Sequence, residues 1–293
     1  WYGSLVRTGC PRVKERTEER IAMKKFPIAL QLYSVRDFAE KDMRGTLQKV
    51  KALGYDGVEF AGLYGYAPEE VKAMCEEIGL VPISAHVPID DLLKPGTIEA
   101  YKMIGCRFIA VPWLGEERRP GHEKYAQTQK DIATIGEEAK REGMTLLYHN
   151  HDFEFVKVDG AYALDVMYEN ISADLLQTEL DTCWVRVGGA DPTAYVEKYS
   201  GRAPVVHLKD YVGEKSEHMY ELIGVDANAK KEEAKKFELR PVGDGVQDFP
   251  SIIAACEKAG TEWLVVEQDN PSGGLSSLEC AERSRNYLRS IGQ

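Results

Sequence analysis

Residues 43–60, MRGTLQKVKALGYDGVEF, contain one complete helix-to-strand unit. Apolar side chains at Leu47, Val50 and Leu53 recur at the spacing of one helix face. Gly54 follows at the position where such a helix ends. The next run, DGVEF, is typical of a short strand that is buried on both faces. A helix that leads directly into a buried strand is the unit from which parallel α/β folds are built.

The same unit recurs along the whole chain. Short runs rich in Val, Ile, Leu or aromatic residues predict eight strands, at 28–33, 56–60, 81–86, 107–111, 145–150, 176–181, 204–209 and 263–268. The segments between them carry helix signals, such as Pro68 in a first turn and Asp191 before a proline. This pattern predicts a single (β/α)8 TIM barrel over residues 26–293, preceded by a charged leader at 1–25. An open doubly wound sheet is the competing fold, but no GxGxxG motif follows the first strand.

Composition limits the classes of partner. The 293 residues carry a formal net charge of −11, which argues against nucleic-acid binding through clustered Lys and Arg. No window approaches the run of about 18 apolar residues that a membrane helix needs. Six cysteines are spread singly, without a CxxC pair, and favour a reducing, cytoplasmic location. Because the chain starts at Trp1 rather than Met, an export signal removed from the N-terminus stays open as an alternative.

A long polar connection at 211–248 separates the seventh and eighth predicted strands. Loops of this length are usually functional lids or disordered segments, and in a barrel this one lies on the active-site face. Gly243 and Gly245 predict a tight turn into the last repeat, and the acid between them, Asp244, disfavours a phosphate site there. An uncharged substrate therefore fits this turn better than a phosphorylated one. Arg240, just before the turn, is a candidate to reach the substrate.

Ionisable side chains collect at the ends of the predicted strands, where a barrel places its active site. They are His86 after strand three, His149 and His151 after five, Glu179 and Asp181 after six, His207 and Lys209 after seven, and Glu267 and Asp269 after eight. Residues two apart share one face of a strand, so each pair is expected to point into the barrel. Carboxylates and imidazoles that converge in a dry site need a positive charge between them. Oxygen and nitrogen ligands without a thiolate favour Mn²⁺, Mg²⁺, Co²⁺ or Zn²⁺.

Five motifs carry a resemblance to a known family. They are IALQLYSVRD, ELDTCWV followed by GGADP, VVHLKD, PVGDGVQDF and LVVEQD, in this order between Ile28 and Ile291. The chain resembles the xylose isomerase-like barrels, the sugar phosphate isomerase/epimerase family, near its inosose dehydratase branch. The resemblance implies a divalent metal, most often Mn²⁺, held at the ends of strands five to eight. It implies Asp181, His207 and Glu267 as three of the metal ligands.

The fourth ligand departs from the family pattern. The family has a glutamate at the end of strand five, where this chain has His149 followed by Asn150. A histidine can ligate a metal or act as a base near neutral pH, so His149 is the expected fourth ligand and a candidate catalytic group. Glu154, a short loop away, is the alternative ligand. Because epimerases of this family place a glutamate on each side of the substrate carbon, the histidine disfavours a symmetric two-glutamate epimerase and is closer to the dehydratase branch.

The resemblance and the strand-end residues together predict a metal-dependent isomerase or epimerase that acts on a ketose or keto-sugar through an enediolate. Glu267 is the expected base, and Lys209 the group that stabilises the enediolate oxygen. The residues expected to contact the sugar are Gln31, Tyr33, His86, Trp113, His151, Glu154, Trp184 and Arg240.

Other functions stay open at this point. The first alternative is a lyase of the same barrel, which dehydrates an inosose or eliminates the substituent of a 3-keto-glycoside. A non-catalytic sugar-binding protein is the second, and it would need no metal. The nuclease branch of the barrel, which holds three metals against a cationic DNA face, does not fit a chain at −11. Barrels of this group often pair, so a homodimer is a further possibility.

Overall fold

The computed structural model describes residues 24–215 and 237–293. Its central sheet has eight parallel strands, numbered β1 to β8 in chain order. Their bounds are Ile28–Gln31, Gly57–Phe60, Val81–Ala85, Phe108–Val111, Thr145–His149, Gln177–Asp181, Val205–Leu208 and Trp263–Val266. Strands that are consecutive in the chain are neighbours in the sheet, and β8 pairs with β1. A parallel bridge between His86 and Ala110 joins β3 to β4 and completes the circle, so the predicted TIM barrel is confirmed.

Helices separate the strands along the chain. The α-helices of the described residues are Arg36–Ala39, Met43–Leu53, Pro68–Ile78, Ile89–Leu92, Thr97–Ile104, Tyr125–Arg141, Ala163–Asn170, Thr182–Val187, Pro192–Lys198, Phe249–Ala259 and Ser277–Ser290. Short 3-10 turns span Leu32–Val35, Glu116–Arg118 and Phe153–Phe155. Within the ranges that the structure describes, none of the helices combines the length and the apolar character that a membrane crossing requires.

The helix boundaries follow the signals in the sequence. Helix Met43–Leu53 begins after Asp42, whose carboxylate accepts a hydrogen bond from the backbone N–H of Gly45. It ends at Gly54, whose φ of 88° is left-handed and therefore favours glycine. Asp191 caps helix Pro192–Lys198 in the same way, as the sequence predicted.

The interior of the barrel changes from apolar to polar along the strands. Its lower layer is a buried apolar cluster of Ala29, Ile83, Phe108, Ala110, Leu147, Val205 and Val265. Side chains two residues further along a strand point into the same interior. On β1, β5, β7 and β8 these positions are Gln31, His149, His207 and Glu267, all buried. The fold therefore collects the polar strand-end residues in one layer above an apolar floor.

All eight strands are shorter than predicted, five of them by one residue and β1, β7 and β8 by two. β1 ends at Gln31 rather than at residue 33, because the Gln31 side chain accepts a hydrogen bond from the backbone N–H of Tyr33 and starts a 3-10 turn. β7 ends at Leu208 and β8 at Val266. Lys209 and Glu267 therefore lie immediately beyond their strands, at the mouth of the barrel.

The long connection predicted at 211–248 contains two short strands that pair as an antiparallel hairpin, the first of which begins one residue before the connection. Asp210–Gly213 pairs antiparallel with Phe237–Arg240. Residues 216–236 of this connection, and residues 1–23 of the predicted leader, lie outside the described residues. In the glycine turn, the backbone N–H groups of Gly243 and Gly245 donate to the Asp210 carboxylate at 3.0 and 2.8 Å. The turn therefore binds an anion that the chain itself supplies.

Candidate metal centre

The four predicted metal ligands lie together at the mouth of the barrel. His149, Asp181, His207 and Glu267 are buried, and their donor atoms lie within 4.8 Å of one another. His149 Nε2 is 3.4 Å from both Asp181 Oδ2 and Glu267 Oε2. His207 Nδ1 is 2.9 Å from Glu267 Oε2. We call these four residues the ligand group.

The ligand group has the features of a cation site. Asp181 Oδ1 accepts a hydrogen bond from the Trp184 backbone N–H at 2.9 Å, which leaves Asp181 Oδ2 facing the group. Among the described residues, neither Asp181 Oδ2 nor His149 Nε2 has a hydrogen-bond partner, although both are buried and Asp181 Oδ2 forms an ion pair with Lys209 Nζ at 3.3 Å. Buried polar atoms without partners are costly, and a divalent cation would satisfy both. Two imidazoles and two carboxylates suit Mn²⁺, Co²⁺ or Zn²⁺, so the residues present fit such an ion.

A buried amide supports the ligand group from behind. Asn150 Oδ1 accepts from the backbone N–H of Asp181 at 3.0 Å, and Asn150 Nδ2 donates to the carbonyl of Asp181 at 3.3 Å. These bonds tie the end of β5 to the end of β6, so they fix the spacing between His149 and Asp181. The sequence places Asn150 beside a ligand but does not show this function.

Lys209 lies among the acids of the site. Its Nζ is 3.3 Å from Asp181, 3.1 Å from Glu267 and 3.0 Å from Asp269. Burial opposes the charge of Lys209, but the three carboxylates outweigh it and raise the lysine pKa well above its usual value. Burial likewise opposes ionisation of Glu267, yet Lys209 and the nearby histidines hold the Glu267 pKa well below its usual range. The site therefore contains a fixed cation beside an ionised carboxylate.

A second group of buried polar side chains borders the ligand group at His207. His86 Nε2 lies 3.1 Å from Glu59 Oε1 and 2.6 Å from Glu179 Oε2. Gln31 Nε2 donates to Glu59 Oε1 at 2.7 Å. His207 Nε2 is 2.9 Å from the same Glu59 oxygen. We call Gln31, Glu59, His86 and Glu179 the inner group.

Attraction between carboxylates and histidines holds the inner group together. Burial opposes ionisation of Glu59, but His86 and His207 outweigh it and keep the Glu59 pKa well below its usual range. Burial also opposes the charge of His86, yet Glu59 and Glu179 raise the His86 pKa to about 10. The sequence shows Glu179 at a strand end but not its contacts, and Glu59 was missed altogether. The available signal was that Glu59 is a lone acid near the end of an otherwise apolar strand, DGVEF.

An open cleft of about 450 Å³ leads to the ligand group, a volume within the usual range for small-molecule sites. One part of its lining is charged or polar and consists of His86, His149, His151, Lys209, Glu267 and Asp269. The other part is apolar or aromatic and consists of Tyr33, Ala61, Gly62, Pro88, Pro112 and Trp113. The second set comes from the segments after β1 to β4, whereas the polar set, apart from His86 after β3, comes from the ends of β5, β7 and β8, so the two kinds of surface lie largely on different sides of the barrel mouth.

His151 lies among aromatic rings. Its ring centroid is 4.6 Å from that of Trp113, 5.4 Å from that of Phe153 and 5.3 Å from that of Trp184. Burial, together with the electrostatic influence of His149 and Lys209, lowers the His151 pKa well below its usual value. His151 is therefore a neutral, flat wall of the cleft.

Glu154 points away from the ligand group. Its carboxyl oxygens accept from the Tyr148 hydroxyl at 2.5 Å and from the His151 backbone N–H at 2.7 Å. Burial raises the Glu154 pKa to about 8. In this arrangement His149, rather than Glu154, occupies the fourth position of the ligand group.

The predicted sugar-contacting residues divide into two sets. Tyr33, His86, Trp113 and His151 line the cleft. Gln31, Glu154, Trp184 and Arg240 lie outside the lining that the described residues form. Trp184 is buried between His151 and Phe237, and Arg240 donates to Glu238 within the hairpin at 2.7 Å. Sugar contact by any of the eight residues stays a prediction.

Comparison with known proteins places this site in a family. The model of the xylose isomerase-like TIM barrels matches residues 47–291 of the chain. The chain belongs to this family. The family resemblance predicted from the motifs is therefore confirmed, and the family includes isomerases, epimerases and dehydratases.

Individual relatives are distant from this xylose isomerase-like barrel. An inosose dehydratase of Clostridium tetani is 26% identical over 168 residues, which cover 57% of this chain and 54% of the relative. The chain thus spans about half the length of the curated relatives it matches. A sugar phosphate isomerase/epimerase of Parabacteroides distasonis superimposes with a TM-score of 0.72 at 22% identity, over 97% of this chain and 99% of that one. An L-ribulose 3-epimerase superimposes with a TM-score of 0.65 at 17% identity, over 91% and 94%. These structural likenesses show the fold.

Proposed function

We propose that this barrel is a divalent-metal-dependent isomerase or epimerase that acts on a ketose or keto-sugar through an enediolate. The observation that carries the proposal is the convergence of the ligand group and Lys209 on one cleft. A divalent cation bound there would polarise the substrate ketone and acidify the proton on the neighbouring carbon. Mn²⁺ is the proposed ion, with Mg²⁺, Co²⁺ and Zn²⁺ as alternatives.

The chain itself supplies a base and an oxyanion partner. Glu267 lines the cleft and is held ionised, so its carboxylate can accept the proton from the carbon beside the ketone. The C–H electron pair then moves to form the carbon–carbon double bond, and negative charge develops on the carbonyl oxygen. Lys209, also in the cleft, donates a hydrogen bond to that oxygen. The hydroxyl proton of the enediolate then moves to the former carbonyl oxygen, and return of the proton from Glu267 to the former carbonyl carbon gives the isomeric carbonyl sugar, so one carboxylate base suffices for isomerisation.

A lyase is the second candidate, and a specific feature of the cleft favours it. The carboxylates in the lining, among the described residues, are Glu267 and Asp269, which both follow β8. Inversion of a carbon centre needs a proton acceptor and a proton donor on opposite faces, and the strand-five position holds His149 in place of a carboxylate. Elimination needs a base and a donor for the departing oxygen, and His86, held by Glu59 and Glu179, lies in the cleft as such a donor.

The substrate proposed is a neutral keto-sugar. The cleft is lined by the carboxylates of Glu267 and Asp269, and the glycine turn after the hairpin is filled by Asp210. Neither feature offers a phosphate a place without a competing negative charge. The apolar side of the cleft, with Trp113 and Tyr33, suits the C–H faces of a sugar ring. A homodimer remains a prediction from the family resemblance.

Isotope exchange tests the proposal. Protein purified without added metal is analysed for its elements, loaded with Mn²⁺, and incubated in D₂O with ketoses, inososes and keto-glycosides. Deuterium uptake beside the ketone, seen by NMR and lost on chelation, is the expected result. An isomeric sugar would identify the isomerase, and an unsaturated ketone the lyase. Absence of exchange with every substrate by fully loaded protein contradicts both, and sugar binding that survives chelation would indicate a binding protein.

A further inference from the structure

We propose that Glu59 is a positioning residue, which holds His207 in the tautomer and orientation that metal binding needs. The inference rests on the proposed metal site and deepens it. Glu59 does not line the cleft that the described residues form, and it contacts the ligand group through His207. It therefore acts on the metal through a ligand and not by direct contact.

The two ring nitrogens of His207 face two different carboxylates. Nδ1 lies 2.9 Å from Glu267 Oε2 in the ligand group, and Nε2 lies 2.9 Å from Glu59 Oε1 in the inner group. A neutral imidazole carries one N–H and one free lone pair. A proton held on Nε2 by the charge of the Glu59 carboxylate, 2.9 Å away, would leave the Nδ1 lone pair available for a metal. Carboxylate–histidine–metal chains of this kind fix the ligand ring and increase its basicity.

Glu59 is itself held rigidly in place. Its Oε1 accepts from Gln31 Nε2 at 2.7 Å, and the Nε2 atoms of His86 and His207 lie 3.1 and 2.9 Å from the same oxygen. The β1–β2 register sets Gln31 directly beside Glu59. Because Glu59 is fully buried, water does not compete for this oxygen. The orientation of His207 is thereby determined by the sheet and not by a mobile side chain.

A second cation in the inner group is the competing arrangement. Glu59 Oε2 and Glu179 Oε1 are buried without a hydrogen-bond partner among the described residues. A metal there, however, would take His207 through Nε2 and force the ring to bridge two ions as an imidazolate. His86 Nε2 also lies at 2.6 and 3.1 Å from the two carboxylates, which are hydrogen-bond distances. The geometry therefore favours a proton donor between Glu59 and Glu179.

Glu179 provides a matched control. Like Glu59, it is fully buried and in contact with His86. Its Oε2 is 3.6 Å from His207 Nε2, which is too far for a hydrogen bond. A change from carboxylate to amide removes one negative charge from the inner group at either position. Only the change at Glu59 also weakens the acceptor of the His207 N–H.

The test compares Glu59→Gln with Glu179→Gln in Co²⁺ binding. Titration against a competing chelator should show Glu59→Gln weakening Co²⁺ affinity by about 10- to 100-fold, the usual effect of losing such a partner. Glu179→Gln should stay close to the parent protein. In the ¹H NMR spectrum of the Co²⁺ form, the paramagnetically shifted N–H proton of His207 should shift and exchange faster with solvent in Glu59→Gln alone. Thermal unfolding of the metal-free proteins reports any general loss of structure.

Distinct outcomes overturn the proposal. The proposal is wrong if Glu59→Gln leaves both the Co²⁺ affinity and the N–H signal of His207 unchanged. It is also wrong if both variants lose Co²⁺ affinity equally, because the charge of the inner group would then be the only cause. Two Co²⁺ ions per parent chain would make the inner group a second metal site. If Glu59→Gln does not fold, Glu59→Asp keeps the charge but withdraws it from His207, and the same loss is expected. A parent protein that binds no Co²⁺ or Mn²⁺ would overturn the proposed function itself.

Discussion

His149 changes the character of the centre. It replaces an anionic ligand of the family pattern by a neutral one, so the ligand group has two imidazoles and two carboxylates. A carboxylate reappears one strand away, because the β5–β6 register pairs His149 with Glu179. Glu179 Oε2 lies 2.6 Å from His86 Nε2 and 3.6 Å from His207 Nε2, so this carboxylate belongs to the inner group and borders the ligand group at His207. We expect a centre that prefers nitrogen-binding ions such as Mn²⁺, Co²⁺ or Zn²⁺ to Mg²⁺.

Replacement of His149 tests the ligand assignment. His149→Gln removes an imidazole whose Nε2 lies 3.4 Å from two carboxylate ligands, so the affinity for Mn²⁺ should fall by about 100-fold or more, beyond the effect of losing an outer partner. Elemental analysis after dialysis measures the occupancy. His151→Gln is the control, because His151 also lines the cleft but is not part of the ligand group. Equal occupancy in His149→Gln and the parent would remove His149 from the ligand set.

Glu154 predicts a pH dependence of stability. Burial raises its pKa to about 8, against about 4.3 in an unfolded chain, so the folded protein favours the protonated carboxyl. The stability that this contributes is complete below about pH 4.3 and is lost as the pH rises through 8. Glu154→Gln removes the titration, so its unfolding free energy relative to the parent should increase by about 4 kcal/mol from pH 5 to pH 9. Urea unfolding at both pH values measures this, and parallel profiles would refute the assigned pKa.

The strands show how much of the site the sequence reveals. Each strand is a short apolar run between helix signals, so the number of strands and their ends to within two residues could be predicted, and with them the place of the four residues of the ligand group in the barrel. The role of Glu59 could not be predicted, because it depends on the strand registers that set Gln31 beside Glu59 and Asp181 beside His207. Register follows from the packing of the closed barrel, which the pattern of a single strand does not encode. The contacts of Glu154 and Arg240 depend on local hydrogen bonds for the same reason.

The hairpin after β7 is tied to the glycine turn by one carboxylate. Asp210 accepts from four backbone N–H groups, those of Tyr211, Gly243, Gly245 and Gln247, at 2.8 to 3.1 Å. A Cβ at Gly245 would lie 2.2 Å from Asp210 Oδ1, so this position requires glycine. Because Lys209 directly precedes Asp210, the same contacts hold the lysine at the mouth of the barrel.

Asp210→Asn should therefore destabilise the protein. The amide offers one acceptor oxygen and turns an NH₂ group towards backbone donors, so we expect a loss of about 3 kcal/mol in unfolding free energy. Asp244→Asn is the matched control in the same turn. Asp244 pairs with Arg283 at the surface, and loss of that pair should cost no more than about 1 kcal/mol. Urea midpoints measure both changes, and similar midpoints for the two variants would show that the four hydrogen bonds do not anchor the turn.

The closed barrel concentrates negative charge that it cannot disperse. Among the described residues, five buried acids lie in or beside the ligand and inner groups. They are Glu59, Glu179, Asp181, Glu267 and Asp269. Lys209 and His86 compensate part of this charge. No strand can move outward to relieve the repulsion without breaking hydrogen bonds to both neighbours. Cation binding should therefore stabilise the whole barrel and not only the cleft.

This coupling predicts how metal affects thermal unfolding. Mn²⁺ at 100 times its dissociation constant should stabilise the folded state by about 2.7 kcal/mol, which corresponds to a rise of about 5–10 °C in Tm for a chain of this size. Ca²⁺ is the control ion: it prefers six to eight oxygen ligands, whereas the ligand group offers two imidazoles, so it should change the Tm little. Differential scanning fluorimetry with each ion, before and after chelation, measures the shifts. Equal shifts with both ions would indicate screening of the net charge of −11, and no shift with Mn²⁺ would contradict a metal centre in the barrel.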